Sequence, residues 1–208
     1  LAVHCEKESH LRPELWNPSN PYTHTIARPS KAEVESVKDQ ITFAEAAGFG
    51  GTLHICHISV PETLEEVEKA RKNCTITCGI TPHHAMLHDE MMRGSDGILY
   101  KMNPPLRTED DKEYLLRALI NGRIDWIETD HAPHTLKDKK EGYASGIPGF
   151  PYYPHFIRYL RQRGMPEQRI REVTHGTIEK IFRIKVAGSY GRECYNLADE
   201  YEFDVWHI

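Results

Sequence analysis

The sequence of 208 residues lacks both a long apolar run and an excess of basic residues. No stretch approaches the roughly 18 to 20 consecutive apolar residues of a membrane span, and residues 1–10 do not have the basic-then-apolar order of a signal peptide. There are 26 Lys and Arg residues against 31 Asp and Glu, for a formal net charge of -5, whereas domains that neutralise nucleic-acid phosphates carry a basic excess. These absences predict a cytoplasmic protein that binds neither membranes nor nucleic acids.

Cysteine is scarce, and its five positions are odd in number and scattered along the chain. Cys5, Cys56 and Cys78 lie inside strand-like apolar runs, where a small buried thiol is the usual finding. We therefore expect free thiols instead of disulfides. Hydrophobic residues make up 39% and charged residues 27% of the chain, which is typical of a folded globular protein with a packed core.

The chain also starts without Met, at Leu1, inside an apolar run. The sequence thus begins within a predicted strand, and we expect the chain to be a fragment. Four strand-like runs, each β-branched or apolar, occupy residues 1–5, 52–58, 75–80 and 124–129.

Helical patterns separate these runs. One begins at Ser30, where Glu33 completes the spacing of a capping box, and ends at Gly48. A second helical pattern begins at Pro61, and a third covers residues 110–120. Strands that alternate with helices predict a parallel α/β sheet, either an open doubly wound sheet or a (β/α)8 barrel.

The ends of three of the strand-like runs carry His4, His57 and Asp130. A barrel gathers such strand ends around one mouth, so this pattern favours half of a (β/α)8 TIM-type barrel. We expect residues 150–182 to be helical. An aromatic, β-rich stretch follows, which we expect to form a pair of strands outside the barrel.

The segment that runs from Ile127 to Thr135 holds the sharpest cluster of chemistry-bearing residues. Asp130 follows an apolar run, and two histidines and a proline come directly after it. This pattern is typical of a carboxylate that binds a metal ion and contacts its water, which would be the role of Asp130. The alternative is a helix-capping Asp with surface histidines.

Two histidines, His54 and His57, lie three residues apart in the second run. Side chains of a strand alternate, so only one of them should face the barrel interior, and the strand-end position selects His57. His4 ends the first run in the same way. Each could be a core histidine, but imidazole and carboxylate together indicate zinc or a similar transition metal.

Asn103 lies in a loop that two consecutive prolines make rigid. Its amide would then be fixed toward a polar substrate. The alternative is an ordinary loop before a helix.

The motifs VHCE, HICHIS, ITPHH, YKMNPPLR, TDHAPHT and SGIPG occur in the order in which they stand in the dihydroorotases, within the cyclic amidohydrolases. The chain resembles that family over residues 1–184. The resemblance implies a metal-dependent (β/α)8 barrel, of which 1–184 is the C-terminal half. It also assigns 185–208 to part of a small β-sandwich domain, with its closing strand at residues 204–205.

By this resemblance, His4 and His57 bind the more exposed of two zinc ions. Asp130 binds the buried ion and acts as the general base or acid. Asn103 and His134 contact the substrate, and the loop that does so with backbone groups contains Gly146, Pro148 and Gly149.

The family's His-x-His pair, bridging carboxylate and substrate-binding arginine have no counterpart in the 208 residues. They would lie upstream, so we expect this chain to be inactive by itself. The complete protein would be a zinc-dependent enzyme of pyrimidine synthesis that closes N-carbamoyl-L-aspartate to L-dihydroorotate reversibly.

Alternatives are a hydantoinase-like or allantoinase-like cyclic amidase, and a non-catalytic subunit that assembles with aspartate transcarbamoylase. His4, His57 and Asp130 together argue against the latter, since a scaffold has no chemical need for them. A homodimer is a further possible assembly.

Overall fold

A computed structural model describes residues 1–185 and 201–206 of the chain. Its sheet has four strands, Ala2–Val3 (β1), Leu53–Ile55 (β2), Ile76–Ile80 (β3) and Trp126–Ile127 (β4). The strands follow one another in chain order, and each pairs in parallel with the next. The prediction of four parallel strands is confirmed. Sequential parallel neighbours are the arrangement of a barrel wall, whereas doubly wound sheets reverse their order at a switch point.

Helices connect the strands and follow the last one. The α-helices in the described residues are α1 (Thr23–Ala27), α2 (Ser30–Ala46), α3 (Pro61–Ala70), α4 (Pro82–Met86), α5 (Glu109–Ile120), α6 (Leu136–Lys140), α7 (Tyr153–Gln162), α8 (Glu167–Arg171) and α9 (Thr177–Phe182). Short 3₁₀ segments lie at Glu8–His10, Pro13–Leu15, Asp89–Arg93 and Gly97–Tyr100, and a π-helical turn at Glu172–Gly176 joins α8 to α9. The helical prediction for residues 150–182 is therefore confirmed in large part.

Helix α2 begins differently from the prediction. Its N-cap is Pro29, and Ser30 is already helical, so no capping box forms there. Glu33 is 1% exposed and accepts hydrogen bonds from the backbone N–H of Ser59, at 2.9 Å, and from the Ser59 hydroxyl. The Glu33 carboxylate thus links α2 to the segment after β2 and does not cap the helix. The predicted C-terminal signal is correct, since Gly48 has φ +58° directly after the helix.

The two faces of the sheet differ in polarity. One face packs with the helices into the main apolar core, to which the strands contribute Leu53, Ile55, Ile76, Cys78, Ile80 and Ile127. The other face carries His54 beside Thr77, and Gly79 beside Trp126 on the next pair of strands. Because side chains alternate along a strand, this second, inner face brings polar groups from different strands together.

A second apolar cluster lies where the loops meet residues 201–206. Trp206 stacks on Tyr152 with ring centroids 4.1 Å apart, and its indole Nε1 donates to the Pro148 carbonyl oxygen at 3.3 Å. Residues 201–206 contain no strand, so the strand expected at residues 204–205 is not found there. Most of the predicted β-rich tail lies outside the described residues, and the division between 1–184 and 185–208 stays a prediction.

Within residues 1–185 and 201–206, no helix has the length and apolar character needed to cross a bilayer. Cys5, Cys56, Cys74 and Cys78 are free thiols, with Cys5 and Cys78 buried.

Candidate active site

His4 and His57 meet at the carboxyl ends of β1 and β2. His4 directly follows β1, and His57 lies two residues past β2 in a backbone conformation with φ +37°. His4 Nδ1 is 3.1 Å from His57 Nε2, and the two rings are edge to face. His57 is 7% exposed, and its Nδ1 has no hydrogen-bond partner among the described residues. Two imidazole nitrogens thus converge on one point of the sheet edge.

The expectation that only one of His54 and His57 could face the interior is wrong. His54 Nδ1 lies 2.9 Å from the Thr77 hydroxyl, and its ring stacks on Trp126, which places it on the inner face. Strict alternation stops where β2 ends at Ile55. The left-handed backbone of His57 then turns its ring toward His4 as well.

A buried carboxylate orients His4. Glu6 Oε2 lies 3.0 Å from His4 Nε2, and Glu6 Oε1 accepts a hydrogen bond of 2.9 Å from Arg28 Nε. Burial by itself would raise the pKa of Glu6, but the contacts with His4 and Arg28 outweigh it and lower the pKa to about 2. Glu6 is therefore ionised and fixes the ring through Nε2, which leaves His4 Nδ1 to face His57. Such outer carboxylates are typical partners of metal-binding histidines.

Asp130 follows β4 and also has a left-handed backbone, with φ +41°. Its side chain is half-buried. No hydrogen bond between described residues joins Asp130 to His4 or His57. The structure therefore brings two of the three predicted metal ligands into contact and places the third after a strand of the same sheet, without a hydrogen bond to either of them among the described residues.

Within residues 1–185 and 201–206, one group of three donors has ligand atoms within 4.8 Å of one another, namely His54, Cys56 and Glu128. Glu128 accepts hydrogen bonds from the His57 backbone N–H at 2.7 Å, from Trp126 Nε1 at 3.2 Å, and from His54 Nε2. Burial, followed by the charge of Glu128, raises the pKa of the Cys56 thiol to about 11. Because Glu128 accepts from the His57 backbone, this group stabilises the turn at His57.

The predicted substrate residues Asn103 and His134 lie on either side of Ser145. Asn103 Oδ1 is 3.0 Å from His24 Nε2 and 3.4 Å from the Ser145 hydroxyl, and His134 Nε2 is 3.0 Å from the Ser145 carbonyl oxygen. Burial, and then the charge of Lys101, lowers the pKa of His24 to about 4. The neutral ring shares its Nε2–H between the Met102 carbonyl oxygen, at 2.9 Å, and the Asn103 oxygen, so the NH₂ group of Asn103 is left for a ligand.

The loop from Gly146 to Gly149 packs directly on the segment that follows β4. Gly146 has φ +133°, and a Cβ there would collide with Ala132, while a Cβ on Gly149 would collide with the Thr129 carbonyl oxygen. The Gly146 N–H donates to the Lys101 carbonyl oxygen at 2.9 Å. Ala132 N–H donates to the Ile147 carbonyl oxygen at 3.1 Å. Several backbone groups of this loop, including the carbonyls of Gly146 and Pro148, are thus already bonded within the protein.

Two lysines at this site were missed by reasoning from the sequence. Lys139 on α6 has 0% exposure, and its Nζ donates to the carbonyl oxygens of Lys101, at 2.8 Å, and of Gly146, at 3.0 Å. Lys101 Nζ donates to the Tyr143 carbonyl oxygen at 2.8 Å and to the Ser145 hydroxyl at 2.7 Å. Lys139 stands in the polar run Lys137–Lys140, which gives no signal of burial.

Arg107, in the same motif as Asn103, has an internal role. It is 6% exposed; its Nε donates to the Ser59 hydroxyl at 3.0 Å, and one terminal nitrogen donates to the Arg28 carbonyl oxygen at 2.7 Å. Glu33 accepts from the same Ser59. Arg107 therefore joins the segment after β2 to the segment before α2.

Comparison with known proteins agrees with this arrangement. No protein-family model matches the chain. Among solved structures, the D-hydantoinase (dihydropyrimidinase) from Thermus sp. superposes with a TM-score of 0.77 at 26% identity, over 88% of this chain and 43% of that protein. The chain thus has the fold of part of an amidohydrolase TIM barrel and is related to the cyclic amidohydrolases.

Within that class, the curated sequence relatives are dihydroorotases. The dihydroorotase of Bacillus caldolyticus is 37% identical over 174 residues, and that of Halalkalibacterium halodurans is 42% identical over 169 residues. Both alignments cover 76% of this chain and 39% of the relative. The chain therefore corresponds to well under half the length of these relatives.

Proposed function

We propose that the protein containing this chain is a zinc-dependent dihydroorotase of the cytoplasm, which closes N-carbamoyl-L-aspartate to L-dihydroorotate reversibly in pyrimidine synthesis. The observation that carries the proposal is the convergence of His4 Nδ1 and His57 Nε2, 3.1 Å apart at the carboxyl end of the sheet. The sequence similarity to dihydroorotases supports this choice of substrate over other cyclic amides.

The residues present suit a transition metal. His57 Nε2 lies 3.1 Å from His4 Nδ1, so a single ion could be bound by these two imidazole nitrogens in place of their mutual contact. His4, held by Glu6, presents a second nitrogen beside the same ring. Two imidazoles and the Asp130 carboxylate form a donor set that zinc prefers. When bound, zinc would supply hydroxide near neutral pH and polarise an amide carbonyl.

The chain's own residues would handle the proton and the ring. Asp130 would accept a proton as the amide carbon is attacked and would return it to the leaving ring nitrogen in the hydrolytic direction. Asn103 would donate its free NH₂ group to an oxygen of the substrate, because its own oxygen is occupied by His24. His134 would offer Nδ1, since its Nε2 is directed at the Ser145 carbonyl.

The assembly and domain division form part of the same proposal. Residues 1–184 would belong to the barrel and 185–208 to a small β-domain. The remaining ligands would come from parts of the protein outside this chain, and the active protein would be a homodimer or would assemble with aspartate transcarbamoylase.

A substrate panel tests the proposal. The natural protein containing this chain would be purified with zinc and assayed on dihydroorotate, N-carbamoyl-L-aspartate, hydantoin, dihydrouracil and allantoin. We expect turnover of the first two, with a kcat/KM at least a hundredfold above that for the other rings. A higher kcat/KM for hydantoin or allantoin would replace the proposed substrate, and no turnover of any member would favour a non-catalytic subunit.

A further inference from the structure

Lys139 is a fully buried lysine without a carboxylate partner among the described residues. Both of its hydrogen bonds are to backbone oxygens, of Lys101 at 2.8 Å and of Gly146 at 3.0 Å. Burial, followed by the charge of Lys101, lowers its pKa to about 7. An amine is expensive to bury, and a methionine of similar length would fill the same space. The position of the amine therefore calls for a functional explanation.

The two carbonyls that Lys139 joins belong to the two loops that carry the predicted substrate contacts. Lys101 lies two residues before Asn103, and Gly146 begins the Gly146–Gly149 loop. The two loops are also joined directly, since Lys101 Nζ donates to the Tyr143 carbonyl oxygen and to the Ser145 hydroxyl. The Gly146 N–H also donates to the Lys101 carbonyl oxygen. Four hydrogen bonds from two amines thus fix the distance between the loops.

A role as a nucleophile does not fit this geometry. A lysine of lowered pKa can form a Schiff base, but Lys139 has no exposed surface and its amine donates hydrogen bonds to two carbonyl oxygens, which leaves no room for an incoming carbonyl substrate. Helix α6, which carries it, is anchored by a capping box in which Thr135 and Asp138 bond reciprocally. Because α6 starts two residues after His134, the lysine is also held close to that residue along the chain.

We propose that Lys139 is a positioning residue for substrate binding, which holds the loop of Asn103 and the loop of Gly146 at the separation that a cyclic amide requires. This inference rests on the proposed function, because it concerns the ring-binding side of the same site. Lys139 would not touch the substrate. It would act through Ser145, whose hydroxyl contacts Asn103 and whose carbonyl contacts His134.

The test compares Lys139→Met with Lys137→Met in the natural zinc-loaded protein. Lys137 is an exposed residue of the same helix, so its replacement serves as the control. For Lys139→Met we expect KM for dihydroorotate to rise about tenfold and kcat to stay within about twofold, because the groups that move protons are untouched. Amide hydrogen exchange of the peptide containing Gly146 should become at least tenfold faster without substrate.

Ser145→Ala is a second variant that covers the case in which Lys139→Met fails to fold. Ser145 is half-buried, and its replacement removes the hydroxyl that links Lys101 to Asn103. We expect a threefold or greater rise in KM, again with little change in kcat. Unchanged KM in the variants that fold, or a loss confined to kcat, would overturn the inference.

The exchange measurement separates the two proposals. If wild-type protein does not turn over dihydroorotate but Lys139→Met still accelerates exchange at Gly146, the proposed function fails while the link between the loops stands. If wild-type protein is active and Lys139→Met changes neither exchange nor KM, the inference about Lys139 fails alone.

Discussion

The backbone amide of His57 donates a 2.7 Å hydrogen bond to the carboxylate of Glu128, which lies two strands away. The bond reaches a residue with φ +37°, a conformation that is uncommon outside glycine. Glu128 also accepts from His54 and Trp126 on the inner face. The geometry of the proposed metal ligand thus depends on a carboxylate that would not bind the metal itself.

We expect Glu128→Ala to destabilise the protein by about 3 kcal/mol, because it leaves three buried donors without an acceptor and each costs about 1 to 3 kcal/mol. Urea denaturation measures the change in the free energy of unfolding. Glu65→Ala, at an exposed position of α3, is the control and should stay within about 0.5 kcal/mol. A loss below about 1 kcal/mol for Glu128→Ala would show that water replaces the carboxylate.

Gly79→Ala should be destabilising by about 1 to 3 kcal/mol, as expected for overpacking, since a Cβ on Gly79 would overlap the Glu128 side chain. The overlap disappears when Glu128 is alanine. A double-mutant cycle should therefore give strong non-additivity, with Gly79→Ala costing much less in the Glu128→Ala background. Additive effects would mean that the backbone of β3, and not Glu128, resists the methyl group.

Asp130→Asn in the natural protein should lower kcat by about 10² to 10⁴ while much of the metal is retained, because an amide oxygen can bind metal but cannot accept the proton. His134→Ala should instead raise KM more than it lowers kcat. Kinetics and metal content would be measured on the same preparations. A fully metallated Asp130→Asn enzyme with more than about a tenth of its kcat would remove Asp130 from proton transfer.

Lys139 should make stability depend on pH. Its folded-state pKa is lowered to about 7, whereas an unfolded lysine has a value of about 10.4. Between these values the unfolded state binds the extra proton, so the contribution of Lys139 becomes more favourable as pH rises. From pH 7.5 to 9.5 the free energy of unfolding of wild type should gain about 2 kcal/mol relative to Lys139→Met. Parallel pH profiles for the two proteins would contradict the lowered pKa.

The strand order and the pairing of His4 with His57 could be predicted from the sequence. Apolar runs separated by helical patterns specify parallel strands, and strand ends share one edge of the sheet. The inward position of His54 was missed, because it depends on the residue at which β2 ends and on one left-handed residue. Strand ends are the least certain feature of a periodic pattern.

Longer-range contacts explain the other differences. Glu33 has the spacing of a capping box, but Ser59 lies close enough in the fold to take its carboxylate. Lys139 stands among charged neighbours in a short helix, and only the packing of two loops over it makes it buried. A local sequence pattern carries no information about Ser59 as the partner of Glu33, or about the loops that cover Lys139. The roles predicted for Asn103 and His134 remain predictions, although the structure places both beside Ser145.

The hydrogen bonds of Lys101 and Lys139 also bear on how ring preference in this class could be re-engineered. Lys101, in the first loop, donates to the second loop, and Lys139, on α6, donates to both loops, so residues 101–107, residues 143–149 and α6 are joined into one hydrogen-bonded unit. A graft of either loop alone from another cyclic amidase would leave an amine or a carbonyl unmatched. Successful exchange of specificity would therefore require all three segments to be moved in a single step.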